Sequence, residues 1–128
     1  MKFSKATDYA LHTILDLIAE SPNKPVRVQQ LAEKQGVSPT YLSKILTKLA
    51  KAGLVESASG ANGGYRLKAR KEDISFLDVI HAIEGTASLF HCCLHDEEEC
   101  DIRKVMISAE EAMEERLRNQ KIIELVSK

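Results

Sequence analysis

Between Val26 and Leu67 the apolar positions change their spacing twice. Val28, Leu31 and Ala32 stand three and one apart, which marks one face of a helix. Gly36 and Val37 interrupt that face. The glycine offers permissive backbone for a sharp turn, and the valine can plug its inside. Leu42, Ile45, Leu46 and Leu49 then recur at i, i+3, i+4 and i+7, a second helix with one buried side. Ser38 is placed to cap it, Pro39 suits its first position, and Gly53 ends it. From Leu54 to Leu67 the pattern predicts a hairpin with Gly60, Gly63 and Gly64 at its tip and Arg66 and Lys68 on the returning strand. Helix, tight turn, longer helix and glycine-tipped hairpin together predict a winged helix-turn-helix.

The flanks extend this. Ser4 opens a helix to about Ala19 that buries Ala10, Leu11, Ile14, Leu15, Leu17 and Ile18, and Pro22 and Pro25 stop it. Ser75 and Asp78 have capping-box spacing before a short helix through Phe76, Val79, Ile80 and Ile83, closed by Gly85. Residues 86–101 read as loop. From Asp101 to about Leu125 one long helix is expected, with Ile102, Val105, Met106, Ala109, Ala112, Met113 and Leu117 as an apolar seam. At about 1.5 Å per residue it would be roughly 35–40 Å long. Its own domain could cover the first turns only, so a second copy is the expected partner, with Val105, Ala109, Ala112, Met113 and Leu117 in a homodimer interface. The predicted fold class is mainly α with a small β-hairpin. Residues 1–84 form the DNA-binding domain, 85–101 a Cys/His-containing sensor loop, and 102–128 the dimerisation helix.

Charge points to the partner. The 128 residues carry a net charge of −1, but residues 1–70 hold 11 Lys and Arg against 5 Asp and Glu, and residues 71–128 hold 7 against 14. On the second helix of the motif Thr40, Lys44, Thr47, Lys48 and Lys51 form a polar stripe without a carboxylate, whereas a merely solvated helix usually interleaves Glu with Lys. Such a stripe suits double-stranded DNA. Lys44 and Lys48 are the expected phosphate contacts, and Ser38, Thr40, Tyr41 and Ser43 are better placed for base edges, with Thr47 beside them. On the wing Ser59, Asn62, Gly63, Gly64 and Arg66 are the candidates. The rival from another class is an adaptor that keeps the scaffold without DNA contacts, for which the lysine stripe has no use. An enzyme is not expected, since the chain holds no Gly-x-Ser-x-Gly, no P-loop and no obvious carboxylate pair. No apolar run approaches the ~18 residues of a membrane span and the N-terminus lacks a signal-peptide core, so a cytoplasmic protein is expected.

The three cysteines, Cys92, Cys93 and Cys100, are an odd number in one short stretch. That argues against a disulfide framework and for a metal, a cluster or thiol redox chemistry. Asp8 and His12, one turn apart on the first helix, make either an ion pair or two ligands to something docked there.

By these residues the chain resembles the Rrf-type winged-helix transcriptional regulators, the superfamily of the iron–sulfur regulator IscR and the nitric-oxide sensor NsrR. The segments KFSKATDYALHTILDL, LAEKQGVSPTYLSKILTKLAKAGLVES and NGGYRLKARKEDISFLDVIHAIEG carry the likeness in order. The resemblance implies a homodimer, a palindromic operator, a recognition helix from Pro39 to Ala52, and a C-terminal loop that holds an iron–sulfur cluster in sensing members. Two departures stand out. Where members often carry Arg-Gly-Pro-Gly-Gly-Gly in the wing, this chain has Ser59, Gly60, Ala61, Asn62, Gly63 and Gly64, so the arginine for a minor groove is absent. One subgroup spaces its ligands C-x7-C-x5-C; Cys92 and Cys100 fit, but Met106 stands third. Cys92 or Cys93 with Cys100 would then be the thiolate ligands, and His91, His95, or Asp8 and His12 would complete the set. A mononuclear Zn²⁺ or Fe²⁺ site, direct thiol redox and a loop without ligand stay open. The acidic run Asp96 to Glu99 disfavours free thiolate chemistry.

Overall fold

Ser75 and Asp78 form the capping box that their spacing predicts: the Asp78 N–H donates to Ser75 Oγ and the Ser75 N–H donates to Asp78 Oδ2, each at 3.0 Å. The computed structural model describes residues 3–20, 24–60, 63–90 and 100–126. In chain order these form α1 (Lys5–Ala19), α2 (Val28–Gln35), α3 (Pro39–Lys51), β1 (Val55–Ala58), β2 (Gly64–Leu67), α4 (Phe76–Glu84), α5 (Asp101–Arg118) and α6 (Ile123–Val126). The fold is mainly helical with one antiparallel hairpin, and Val55 pairs with Leu67, Glu56 with Arg66, Ser57 with Tyr65 and Ala58 with Gly64.

Gly36 adopts φ 71° at the end of α2, the left-handed turn that redirects the chain into α3. The Ser38 Oγ accepts the Tyr41 N–H at 3.1 Å and Pro39 follows at the first helical position. Buried faces of α1, α2 and α3 meet through Ala10, Ile14, Leu17, Leu31, Leu42, Ile45, Leu46 and Leu49. Burying each large aliphatic side chain contributes about 1.5–3 kcal/mol. The hairpin is joined by a further contact that its own pattern does not predict. Val26 and Tyr65 exchange both backbone hydrogen bonds at 2.8 Å, which ties the wing to the segment before α2.

The C-terminal third departs from expectation. The seam helix stops at Arg118 rather than reaching Leu125. The chain exchanges helical bonds for bonds to the main body: the Phe76 N–H donates to the Gln120 carbonyl and the Ile122 N–H to the Ile74 carbonyl, each at 3.0 Å. The reward is burial of Ile122, 1% exposed, in the same core as Ile14 and Leu49. The coverage of α5 is also the reverse of the expected one. Its second half, not its first turns, lies on its own domain, with Met113 and Leu117 facing Leu77 and Ile80 of α4. His81 Nε2 and Glu114 Oε2, 3.5 Å apart, mark the same contact. Ile102 and Val105, each 68% exposed, and the exposed Ala109 and Ala112 form a separate outer face.

Candidate nucleic-acid interface

The outer side of α3 carries what its sequence promises. Thr40, Tyr41, Lys44, Thr47, Lys48 and Lys51 are all exposed, and Ser43 is half-buried. No carboxylate interrupts them. The Thr47 hydroxyl donates to the Ser43 carbonyl at 2.8 Å, so it is already satisfied within the helix. Tyr41 is held from behind by Tyr9 of α1, ring edge to face, with centroids 5.8 Å apart and planes at 86°. That contact fixes an aromatic side chain, 37% exposed, at the N-terminal end of the stripe.

Between α3 and the wing lies an open groove of about 470 Å³. Pro39, Thr40 and Ser43 form one wall and Gly60, Gly63 and Gly64 the other, with Arg27, Val28 and Gln29 at the start of α2 as its floor. Gly64, at φ 148°, tolerates no side chain, because a Cβ there would run into the Val26 carbonyl. The glycines therefore bring the wing's backbone against both α2 and the groove. Ser59 is exposed beside them. Arg66 is engaged by its cross-strand partner, with Nε 3.0 Å from Glu56 Oε2. Asn62 lies outside the described residues.

Arg27 and Gln29 are groove residues that the sequence pattern alone does not single out. The signal available is a cation, Arg27, directly before a helix that begins without a side-chain cap. Glu84, away from the groove at the end of α4, is also not singled out by the sequence pattern. Its Oε2 accepts the Thr7 hydroxyl at 2.6 Å, the Ser4 N–H at 2.8 Å and the Ser4 hydroxyl at 3.0 Å. The Thr7 bond first, then the Ser4 backbone bond, hold its carboxyl below the ordinary 4.5, with a smaller contribution from the Lys48 charge.

Among the described residues the candidate ligands are not brought together. Asp8 Oδ1 and His12 Nε2 are 3.5 Å apart, an exposed i,i+4 pair beside a small pocket of about 160 Å³ lined by Leu11, Leu15, Phe76 and Ile122. Cys100 is buried at the N-terminus of α5, where its Sγ accepts the Arg103 N–H at 3.5 Å. Among the described residues no three His, Cys, Asp or Glu side chains converge, so Asp8, His12 and Cys100 of one chain do not form a joint site. Cys92, Cys93, His91 and His95 lie outside the described residues. Of the candidate dimer residues, Val105, Ala109 and Ala112 face outward, and Met113 and Leu117 face α4. Among the described residues no helix is long and apolar enough to cross a membrane.

Known proteins resemble this chain over most of its length. The family model Rrf2, described as an iron-dependent transcriptional regulator, matches residues 3–128. Protein rrf2 of Nitratidesulfovibrio vulgaris is 36% identical over 92 residues, 72% of this chain and 61% of that protein. The HTH-type transcriptional regulator IscR of Vibrio atlanticus is 38% identical over 100 residues, 78% of this chain and 57% of that protein. The chain thus aligns with about three-fifths of the length of these relatives. Among solved structures, CymR, the global cysteine regulator of B. subtilis, superposes with a TM-score of 0.84 at 28% identity, covering 99% of this chain and 97% of that one.

Proposed function

The chain belongs to the Rrf2 family of transcriptional regulators, and from that premise we propose that it acts as a homodimeric repressor on a palindromic operator. Rrf2 regulators bind DNA. The observation that carries the reading is the carboxylate-free face of α3 set across a groove from the glycine backbone of the wing. In this reading Lys44 and Lys48 contact phosphates, and Thr40, Tyr41 and Ser43 meet base edges. The start of α2 adds N–H donors and the positive end of a helix dipole for the backbone. The outer face of α5, Ile102, Val105, Ala109 and Ala112, is the two-fold contact, with half-sites one helical turn or a multiple apart. In vitro selection from random duplexes tests the reading: a palindromic consensus supports it, and binding without sequence preference or salt dependence favours the adaptor instead.

The loop between α4 and α5 is the proposed sensor, for redox state or nitric oxide. Cys100 suits a cluster, since its sulfur already receives an N–H donor from Arg103 and sits at the positive end of α5. Cys100 with Cys92 or Cys93 would hold an iron–sulfur cluster. Asp8 and His12 would complete the set from the second protomer, because within one chain they do not meet Cys100. Such a cluster supplies one-electron chemistry and a target for small oxidants. Anaerobic reconstitution should give a coloured protein, and Cys100→Ala should lose both the colour and any dependence of DNA binding on it. Colourless wild-type protein would remove the cluster from the reading and leave DNA binding intact.

A further inference from the structure

The one buried residue of α5 is a glutamate. Glu110 is 8% exposed, on the helix face whose other positions are the half-buried Met106, Met113 and Leu117. The ion pairs of α5 use Asp101, Glu114 and Glu115, so among the described residues Glu110 is held by neutral donors. One carboxylate oxygen accepts the Ser88 hydroxyl and the other the Leu89 N–H, each at 2.8 Å. A leucine in its place would bury more readily, because a carboxylate away from water is costly unless its bonds are complete. The group does what leucine cannot: it grips a particular stretch of backbone.

That stretch is an arm, residues 85–90, which leaves α4 at Glu84. Glu84 is itself fastened to α1 through Ser4 and Thr7. Two carboxylates therefore hold the arm, one to the DNA-binding body and one to α5. Glu110 lies on α5 just where the helix leaves the cover of α4 and the exposed Ile102, Val105 and Ala109 begin toward its N-terminus. In a two-fold dimer joined through that outer face, the angle of α5 to its own body sets the separation and relative rotation of the two α3 helices. Each base pair of spacer changes the required geometry by about 3.4 Å and roughly 34°.

We propose that Glu110 is a specificity-determining positioning residue, which by seating Ser88 and Leu89 on α5 fixes the half-site spacing the dimer accepts. The proposal rests on the homodimer reading above. The test compares the selected operator with versions one base pair shorter and longer, for wild type, Glu110→Leu, Glu110→Gln and Ser88→Ala, alongside an isolated half-site. Wild type should favour one spacing by at least about fivefold, the lower end of coupling between sites. Glu110→Leu should reduce that preference to about twofold or less, while still forming a folded dimer and binding the half-site equally well. Glu110→Gln keeps an acceptor for the Leu89 N–H and should stay near wild type, and Ser88→Ala should fall between. A dimeric Glu110→Leu with the full wild-type preference overturns the proposal. If that variant does not fold, an unchanged preference in Ser88→Ala does the same. A wild type that ignores spacing and binds half-sites as a monomer overturns the homodimer reading, and the proposal with it.

Discussion

Two single carboxylates, Glu84 and Glu110, each tie together segments far apart in the chain. Glu84 gathers three donors from the first turn of α1, where Ser4, placed to cap the helix, donates instead of accepting. The fold therefore favours the ionised form of Glu84 and holds its pKa below the ordinary 4.5. Its contribution to stability is then fully present above 4.5 and is lost as pH falls through the lower folded-state value. Glu84→Gln should lower the melting temperature at pH 7, and the gap to wild type should narrow as the pH drops below 4.5. Thermal melts across that window decide it; a gap of equal size at both ends would mean that charge is not what matters. None of this can be read from residue spacing. Glu84 and Glu110 each sit on an amphipathic helix where an acid reads as solvated, and their donors are 77 and 21 positions or more away in the chain.

At the scale of elements, α3 is the part with a direct functional consequence. Lys48→Ala should weaken binding to all sequences about equally and reduce the salt dependence by roughly one unit, the effect of one lost phosphate contact. Titrations at several salt concentrations measure it, and an unchanged slope would take Lys48 out of the interface. Arg66→Ala should change the slope less, because its guanidinium is already paired with Glu56. This element was legible because its determinants are local: a cap, a proline, a four-position apolar repeat and a one-sided stripe all lie within Ser38–Lys51. The same holds for α2 and for the capping box of α4. The end of α5 was not legible, because nothing near Arg118 breaks a helix. What stops it is the tertiary bond between Ile122 and Ile74. Likewise Arg27 and Gln29 join the groove only because Val26 pairs with Tyr65 across the chain.

For the whole molecule, the proposed assembly turns on the outer face of α5. Val105→Glu with Ala109→Glu places charges where both side chains are exposed in one chain, so the fold should survive and only association should suffer. Sedimentation should show monomers, and affinity for a full operator should fall to that for a half-site. A double variant that remains dimeric would move the interface elsewhere. The return of the chain after α5 bears on how the protein is made. Ile122 fills a place in the core beside Ile14, Val79 and Leu49, and α5 is an excursion between two visits to that core. Synthesis runs at about 5–20 residues per second, so the reading head waits seconds for its last core residue. A nascent or prematurely ended chain lacking that residue has a void where Ile122 belongs, costing about 2–5 kcal/mol, a large part of the stability of a small domain. Such a fragment, residues 1–90 for example, should be protease-sensitive and should bind operator DNA far more weakly than the full chain. Broken translation products would then be degraded rather than compete for operators, and every chain stable enough to read DNA would already carry α5, the helix proposed to join two copies.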